Sequence, residues 1–252
     1  MIIIKSKDEI EIMREGGKIL AQILDKVIKE VKPGMGTRYL DKLAEDEIKL
    51  AGGWPAFKGY HRFPSTLCTC INEEVVHAPA IPDRKLKEGD LLSIDVGMRY
   101  PAKNGLVTDM ATTVAVGNYS RVAKKLMEVT TKCLEEAIKQ VKPGANLGNI
   151  SAVIQKHAEK NKFNVVRELV GHGVGQKVHE PPQIPNYGVK NTGPVLAPGM
   201  TLAIEPMVVA GNYEVEIGKD GQTYRTADGS LAAHFEHTVL VTESGVEILT
   251  KE

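Results

Sequence analysis

Apolar side chains recur at helical spacing near the start of the chain. Ser6 and Glu9 form a capping box, in which each side chain accepts a hydrogen bond from a backbone amide at a helix start. The apolar positions that follow keep the helical period: Ile10, Met13, Leu20, Leu24, Val27 and Val31. Pro33 and Gly34 predict the end of this helix, and a second helix is predicted from about residue 37 to 51.

Short apolar runs alternate with further helical patterns along the rest of the chain. Helices are predicted at 121–141 and 148–161, with Pro143 and Gly144 between them. The pattern predicts an α/β (α+β) chain that no linker or low-complexity segment divides. Strands are predicted for TLCTCI (66–71), LLSIDV (91–96), TDMATTVAV (108–116), TLAIEPMVV (201–209), EVEI (214–217) and FEHTVLVT (235–242).

Four motifs recur in the same order in the two halves of the chain. They are VKPG (31–34 and 141–144), VHAP (76–79) with VHEP (178–181), EGDLLSID (88–95) with PGMTLAIE (198–205), and DMATTVAV (from 109) with a looser EHTVLV (from 236). The repeats predict a single domain over 1–252 built by duplication, with halves of roughly 1–118 and 119–252 related by a pseudo-two-fold axis. A cleft between such halves is a natural binding site.

The charge balance argues against two classes of partner. The chain has 252 residues with 32 basic and 32 acidic side chains, so its formal net charge is zero. That balance predicts no binding to nucleic acid or to an anionic membrane. No apolar run approaches the roughly 18 residues that span a bilayer. The opening MIIIKSKDEIEIM lacks the pattern of a signal peptide.

The three cysteines are an odd number without the spacing of a disulfide framework. Cys68 and Cys70 form a CxC motif on an apolar strand, which core packing explains more often than metal binding. Together with Cys133 they predict a reduced, cytoplasmic protein.

Two carboxylates lie inside apolar strands at matching positions of the repeat, Asp95 and Glu205. A buried carboxylate is costly unless it is paired or binds a metal. One such residue alone would more often be a salt-bridged structural acid, but its duplication reverses that preference. Asp109 and Glu236 repeat the argument on later strands. Four carboxylates in one cleft would repel one another, and two divalent cations would offset their charge.

His172 lies between glycines in GHGVG (171–175), a segment suited to a tight loop that presents a side chain. A lone histidine is usually structural or solvated. This one is a reasonable fifth ligand. Four carboxylates and one imidazole suit Mn, Fe(II), Co or Zn and do not choose among them.

Six motifs between residues 71 and 243 resemble those of type I (bacterial-type) methionine aminopeptidases: INEEVVHAP, SIDVG, TDMATT, GHGVGQKVHEPP, PGMTLAIEPM and FEHTVLVT. The resemblance implies the pita-bread fold, in which two pseudo-symmetric halves form an antiparallel sheet covered by helices, with the site in the cleft between them. It also implies a hydrolase that removes the initiator methionine from nascent proteins and peptides. Such enzymes prefer a small second residue and use a metal-bridging water or hydroxide.

The resemblance assigns each metal ligand a role. Asp95 would chelate one ion, Asp109 and Glu236 would bridge both, and His172 and Glu205 would bind the other. Glu205 would also handle the proton of the nucleophilic water.

The resemblance assigns substrate contacts as well. His77 would contact the amide nitrogen of the scissile bond, and His179 would stabilise the developing charge on its carbonyl oxygen. Four further residues would contact the methionine side chain: Phe57, Tyr60, Phe63 and Gln222. The alternative for Gln222 is a mobile rim loop with little effect on specificity, which the polar KDGQTYRTADG (219–229) allows.

Several positions depart from the family's pattern: Gly97 replaces Thr, Ala78 replaces Gly, Val178 replaces an aromatic residue, Gln222 replaces Trp and Phe57 replaces Cys. The hairpin between Asp95 and Asp109 is also longer than usual, with MRYPAKNG (98–105) as a polar insertion that we expect to bulge. None of these departures removes a ligand, so they bear on side-chain specificity and not on the metal chemistry.

The other histidines have simpler interpretations. His157 lies in a polar helix and is expected to be solvated. His61 and His234 could lie near the mouth of the site, but surface positions are favoured for both. His237 follows a predicted ligand on a strand, so alternation points it away from the site.

Two rival functions use the same fold. Prolidase and aminopeptidase P carry an extra N-terminal domain and an Arg-containing motif around the last glutamate, whereas about 70 residues precede His77 here and the motif is FEHT. A catalytically dead binding module would have lost metal ligands, whereas all five predicted ligands are present in this sequence. The resemblance further implies a monomer that acts on peptide or nascent-protein N-termini, and therefore proximity to the ribosome.

Overall fold

The computed structural model describes residues 1–251 and contains four α-helices in that range. The predicted capping box is present, with Ser6 and Glu9 each accepting a backbone hydrogen bond. None of the helices in the described range is both long and apolar enough to cross a membrane. The helices are α1 (Lys7–Lys29), α2 (Thr37–Leu50), α3 (Arg121–Ile138) and α4 (Gly148–Lys160), and a 3₁₀ turn spans Tyr60–Arg62.

The strands fall where the apolar runs predict them, with shorter strands added between. They are β1 (Trp54–Pro55), β2 (Leu67–Ile71), β3 (Glu74–Val76), β4 (Leu91–Tyr100), β5 (Leu106–Ala115), β6 (Asn164–Val165), β7 (Val170–Gly173), β8 (Glu180–Pro185), β9 (Thr201–Ile204), β10 (Met207–Val209), β11 (Val215–Ile217), β12 (Tyr224–Thr226), β13 (Ala232–His234), β14 (Glu236–Val241) and β15 (Val246–Ile248).

Two local predictions about strands are wrong. The run 201–209 is divided at Glu205 and Pro206 into β9 and β10, which lie in different sheets. Proline has no amide hydrogen to donate to a ladder, so pairing stops there. The insertion 98–105 does not simply bulge, because its first three residues continue β4 and pair with β5 up to Tyr100 opposite Leu106.

The main sheet is antiparallel and nearly symmetric about its centre. Its order is β1-β4-β5-β14-β9-β7-β8, with β2 also on β4 and β15 also on β14. The seam between β5 and β14 joins the two sequence halves, and each half contributes an antiparallel pair next to it. Two three-stranded sheets, β13-β10-β6 and β11-β12-β3, complete the strand structure around the site.

The helices cover the main sheet with one apolar core per half. Helices α1 and α2 pack on β2 and β4 through residues such as Leu24 and Leu40. Helix α3 packs on β9 and β14, and α4 packs on α3, β6 and β8, through residues such as Leu126 and Ile154. Burial of apolar side chains in these cores, about 25 cal/mol per Å², holds the sheet that carries the site.

The repeated VKPG motifs have the same backbone contacts. The amide of Gly34 donates to the carbonyl of Leu86 at 2.8 Å, and the amide of Gly144 donates to the carbonyl of Leu196 at 2.8 Å. Both glycines have a φ of 83°, which favours glycine at these turns. The matching contacts support the duplication, which stays a prediction.

Candidate metal centre and its cavity

Five neighbouring strands bring the predicted ligands to one region of the sheet. In sheet order these are Asp95 on β4, Asp109 on β5, Glu236 on β14, Glu205 directly after β9, and His172 on β7. Adjacent strands lie about 4.8 Å apart, so a row of such side chains can meet in space. Residues far apart in the sequence therefore become neighbours.

The strand register places the carboxylates on the same face of the sheet. Asp95 and Glu236 both pair with Ala111, from opposite sides of β5. Asp109 precedes Ala111 by two residues, and side chains two apart on a strand share a face. The three carboxylates therefore converge across the seam between the halves.

The converging side chains form a tight buried cluster. One ligand atom each of Asp109, His172 and Glu236 lies within 4.8 Å of the others. Nε2 of His172 lies 3.4 Å from Oε1 of Glu205. Asp95 lies beside them, since it pairs with Ala111 two residues after Asp109 and its charge helps to raise the pKa of Asp109. All five predicted ligands thus belong to one group.

The cluster is electrostatically unfavourable without a cation. Burial raises the pKa of Asp95 to about 6. Burial, and then the charge of Asp95, raises the pKa of Asp109 well above its usual range. Burial likewise raises the pKa values of Glu205 and Glu236, and it lowers the pKa of His172 to about 3. The protein thus disfavours ionised carboxylates here unless positive charge is supplied.

The residues present fit a divalent metal site. Within residues 1–251, Oδ1 of Asp95, Oδ1 of Asp109 and Oε1 of Glu236 are buried without a hydrogen-bond partner. In the same range no lysine or arginine forms an ion pair with the cluster. Buried acceptors that lack both donors and cations match what hard or borderline metal ions require of their ligands.

A backbone contact fixes the orientation of the His172 ring. Its Nδ1 lies 2.9 Å from the carbonyl oxygen of Gly173. A carbonyl only accepts, so Nδ1 carries the hydrogen and Nε2 keeps its lone pair on the side of Glu205. Fixing the tautomer of a metal-binding histidine through its second nitrogen is the usual arrangement.

His234 lies in the cluster, so its predicted surface position is wrong. Its Nε2 lies 3.4 Å from Oε2 of Glu205 and 3.9 Å from Oε2 of Glu236, and the side chain is buried. Burial lowers its pKa. A sequence signal exists, since His234 precedes Glu236 by two residues and alternation alone would place both on one face.

His77 and His179 border the same cavity, as predicted. The ring of His179 stands edge-on to His172 at 4.5 Å between centroids. Each of the two histidines also meets a tyrosine edge-on, His77 with Tyr224 at 5.8 Å and His179 with Tyr60 at 5.4 Å. Burial lowers the pKa of His77 to about 4 and also lowers that of His179.

The predicted aromatic residues lie on one hydrogen-bonded loop beside the metal centre. The amide of Tyr60 donates to the carbonyl of Phe57, and the amide of Phe63 donates to the carbonyl of Tyr60. The amide of Gly59 closes the loop by donating to the carbonyl of Phe63 at 2.8 Å. The loop forms an apolar wall of a cavity of about 810 Å³ whose lining includes every predicted site residue.

Two departures from the family pattern, Gly97 and Phe57, are one structural unit. A Cβ added to Gly97 would lie 2.5 Å from Cε1 of Phe57 and 3.0 Å from its Cζ. Only a residue without a side chain therefore allows the Phe57 ring to pack against β4. Both positions stand out in the sequence, but their contact depends on the fold.

Two further departures also reach the cavity. Val178 is buried in its wall. Gln222 lies on the loop between β11 and β12, and its Oε1 is buried with no partner in the described part of the chain. The pocket thus has an apolar wall and one polar group at its edge.

The remaining histidines lie apart from the cluster. His61 is exposed at the cavity mouth. His237 points away from the site, as predicted, and its Nδ1 lies 3.0 Å from the Thr250 hydroxyl. His157 is partly buried and not freely solvated, because Asn161 approaches its Nε2 at 3.4 Å.

Comparison with known proteins gives a consistent picture. Residues 11–243 match the model of metallopeptidase family M24. Methionine aminopeptidase 1 of Bacillus subtilis is 50% identical over 252 residues, with all of both chains covered. The structure of methionine aminopeptidase from Thermotoga maritima superposes with a TM-score of 0.97 at 48% identity, covering 100% of each chain. The prolidase of Pyrococcus horikoshii has a TM-score of 0.78 at 24% identity over 100% of this chain and 64% of its own, which shows the fold alone.

The chain belongs to metallopeptidase family M24. It has the pita-bread fold, as the sequence motifs implied, and it is a hydrolase that uses divalent metal.

Proposed function

We propose that this protein is a methionyl aminopeptidase that removes the initiator methionine from nascent proteins and peptides. The observation that supports this most directly is one cavity in which an aromatic, apolar wall adjoins a buried cluster of four carboxylates and an imidazole. An apolar pocket binds the methionine side chain, and the adjoining cluster places the chemistry next to it.

Two divalent ions would be held by the five clustered residues. Asp95 would bind one ion, His172 and Glu205 the other, and Asp109 and Glu236 both. When bound, such ions supply Lewis-acid stabilisation and a nucleophilic water. Four carboxylates without a lysine or arginine partner match the charge of two divalent ions, which supports this assignment. Mn, Fe(II), Co and Zn all suit these donor atoms.

The chain's own residues would then manage protons and the developing charge. Glu205, beside both His172 and His234, would accept the proton of the attacking water and pass it to the leaving amine. His179 would donate a hydrogen bond to the scissile carbonyl, and His77 would contact the scissile amide.

The side-chain pocket supports methionine as the first residue. Phe57, Tyr60 and Phe63 supply an aromatic wall, and a thioether packs well against aromatic edges. Phe57 adds bulk where Val178 and Gln222 remove it, so the volume is partly compensated. We therefore propose that the enzyme prefers methionine but discriminates only loosely against norleucine and leucine. The difference in kcat/KM should be roughly tens-fold and not absolute.

The second substrate residue is proposed to be small, such as Ala, Gly or Ser. Nascent chains and peptides are the proposed substrates. The expectations of a monomer, of a cytoplasmic location and of proximity to the ribosome stay predictions.

The test is release of the first residue from peptides by the metal-loaded protein. Met-Ala-Ser should be cleaved, whereas Met-Leu-Ser, N-acetyl-Met-Ala-Ser and Ala-Pro should not. Asp109→Asn is the matched loss-of-metal variant. Cleavage of Ala-Pro in preference to Met-Ala-Ser would support the prolidase alternative, and no hydrolysis with metal bound would support the binding module.

A further inference from the structure

A tyrosine hydroxyl meets one ring nitrogen of His179. The Tyr60 hydroxyl oxygen lies 3.2 Å from Nδ1 of His179. The two residues are 119 positions apart in the sequence. The contact joins the aromatic loop of the pocket to one of its histidines.

The chemistry of the two groups decides which one donates. A phenol O–H is a good donor, and the lone pair of a neutral imidazole nitrogen is a good acceptor. If the Tyr60 hydroxyl donates to Nδ1, the single ring hydrogen of neutral His179 must sit on Nε2. His179 then presents an N–H donor on the side away from Tyr60.

His172 shows the opposite arrangement a few ångströms away. Its Nδ1 meets the carbonyl of Gly173, which can only accept, so its hydrogen sits on Nδ1 and its Nε2 is a lone pair. The rings of His172 and His179 lie edge-on at 4.5 Å. Their different second partners make one ring a metal ligand and the other a hydrogen-bond donor.

His77 offers an internal comparison. It stands at the position of the repeat that corresponds to His179, and it also meets a tyrosine edge-on, Tyr224 at 5.8 Å. Within residues 1–251, however, the hydrogen bonds include no tyrosine hydroxyl contact to His77, whereas Tyr60 makes one to His179. The duplicated histidines thus differ in how their rings are held.

The backbone on both sides of Tyr60 adopts the left-handed conformation. Gly59, His61 and Arg62 have positive φ values of 88°, 46° and 67°. Positive φ is uncommon for residues other than glycine and persists only where the surroundings impose it. Two such non-glycine residues directly after Tyr60 indicate that its placement is held at a conformational cost.

We propose that Tyr60 is a positioning residue whose hydroxyl holds His179 as the Nε2–H tautomer, so that the imidazole donates to the carbonyl of the scissile bond. The inference rests on the proposed function for the role of that donor. Tyr60 thereby has a task beyond packing against the substrate side chain.

The experiment compares Tyr60→Phe, which keeps the ring and removes the hydroxyl, with Tyr224→Phe, which does the same beside His77. Long-range ¹H–¹⁵N spectra of the metal-free, ¹⁵N-histidine-labelled protein report each ring's tautomer, and His179→Gln assigns the signal. Steady-state kinetics on Met-Ala-Ser with metal-loaded enzyme give kcat and KM separately. Thermal unfolding checks that each variant is folded.

The native protein should show Nε2–H at His179, and Tyr60→Phe should give a mixture of tautomers. In Tyr60→Phe, kcat should fall roughly severalfold, in proportion to the fraction of His179 that leaves the Nε2–H form, with KM changed less than that. Tyr224→Phe should leave the His179 tautomer unchanged. An Nδ1–H tautomer in the native protein, an unaltered tautomer in Tyr60→Phe, or a defect confined to KM would overturn the inference. A tautomer change in a protein that releases no methionine would support Tyr60 as the positioning group and overturn only the proposed substrate.

Discussion

At the scale of single residues, the metal centre is costly to build from buried acids. The cluster places Asp95, Asp109, Glu205 and Glu236 where burial and mutual repulsion favour their neutral forms. A cation is the partner that makes their ionised forms favourable. The same property makes metal binding sensitive to pH.

Metal affinity should rise as pH rises from 5 to 7. Burial raises the pKa of Asp95 to about 6 and lowers that of His172 to about 3, so at pH 5 this acid is mainly protonated and the imidazole is neutral. The metal binds ionised carboxylates and must displace their protons, which favours binding at the higher pH. Each proton released changes the affinity by up to about tenfold per pH unit.

Isothermal titration calorimetry with Mn²⁺ in two buffers of different ionisation enthalpy measures both the affinity and the protons released. Asp95→Asn should release fewer protons than the native protein. An affinity that stays constant between pH 5 and 7, without proton release, would contradict the prediction.

Gly97 and Phe57 should be energetically coupled. Thr at position 97 cannot fit under the Phe57 ring, because even its Cβ would lie 2.5 Å from Cε1. Gly97→Thr should destabilise the protein by about 1–3 kcal/mol, as overpacking usually does. Phe57→Cys in the same chain should relieve most of that cost.

A double-mutant cycle measured by urea unfolding gives the coupling between these two positions. Specificity should change in the same cycle, with Phe57→Cys enlarging the pocket for bulkier first residues. Additive free energies for the two substitutions would show that the ring and position 97 do not constrain each other.

At the scale of elements, the segment before α1 is tied to the loop that carries His179. Nζ of Lys5 lies 2.8 Å from Oε2 of Glu180, and both side chains are 1% exposed. The amide of Lys177 donates to the other oxygen of Glu180 at 2.9 Å. Lys5 passes so close beneath Gly175 that a Cβ there would lie 2.3 Å from its Cε. A buried ion pair thus fixes the loop between β7 and β8.

Lys5→Met should destabilise the protein strongly, because it leaves Glu180 buried without its cation. Breaking one side of a buried pair typically costs about 3–5 kcal/mol. The control is Lys42→Met, which removes an exposed pair with Asp46 on α2 and should cost well under about 1 kcal/mol. Chemical denaturation compares them, and equal effects of the two substitutions would argue against a special role for the buried pair.

At the scale of the whole molecule, the site lies on the seam where the two halves meet. Strands β5 and β14 pair there, and each half has its own apolar core behind the sheet. Repulsion among the clustered acids therefore acts across the contact between halves, and a metal would bind ligands from both. Stability and metal content should be linked for this reason.

Glu236→Gln should stabilise the metal-free protein but weaken the stabilisation that added metal provides. In the metal-free protein at pH 7.5, folding must either protonate Glu236 or bury its charge, because its pKa is raised. Gln avoids that cost and should stabilise by about 1–2 kcal/mol, or roughly 2–8 °C in Tm. In the metal-loaded protein it removes a ligand, so the variant should gain less from added metal than the native chain.

Differential scanning calorimetry at pH 7.5, with chelator and with excess Mn²⁺, tests this reversal. Glu243→Gln, at an exposed position, is the matched control and should be neutral in both conditions. A metal-free Glu236→Gln protein less stable than the native chain would show that the carboxylate is structurally required and not merely a metal ligand.

The helices, most strands and the candidate metal ligands can be predicted from local chemistry along the chain. A capping box, Pro-Gly breaks and apolar periods predict α1, α2 and most strands within a few residues. Acids inside apolar strands, repeated in the same order, predicted residues that the structure brings into one cluster. Apolar neighbours in the sequence predict that a carboxylate is buried.

Contacts between residues that are distant in the sequence could not be predicted in this way. The pairing of β5 with β14, the burial of His234, the packing of Phe57 on Gly97 and the contact of Tyr60 with His179 all depend on the path of the chain. The residues in such contacts lie far apart in the sequence, as Tyr60 and His179 do at 119 positions apart. No local propensity encodes them, because they form only when burial of the two cores closes the sheet across its seam.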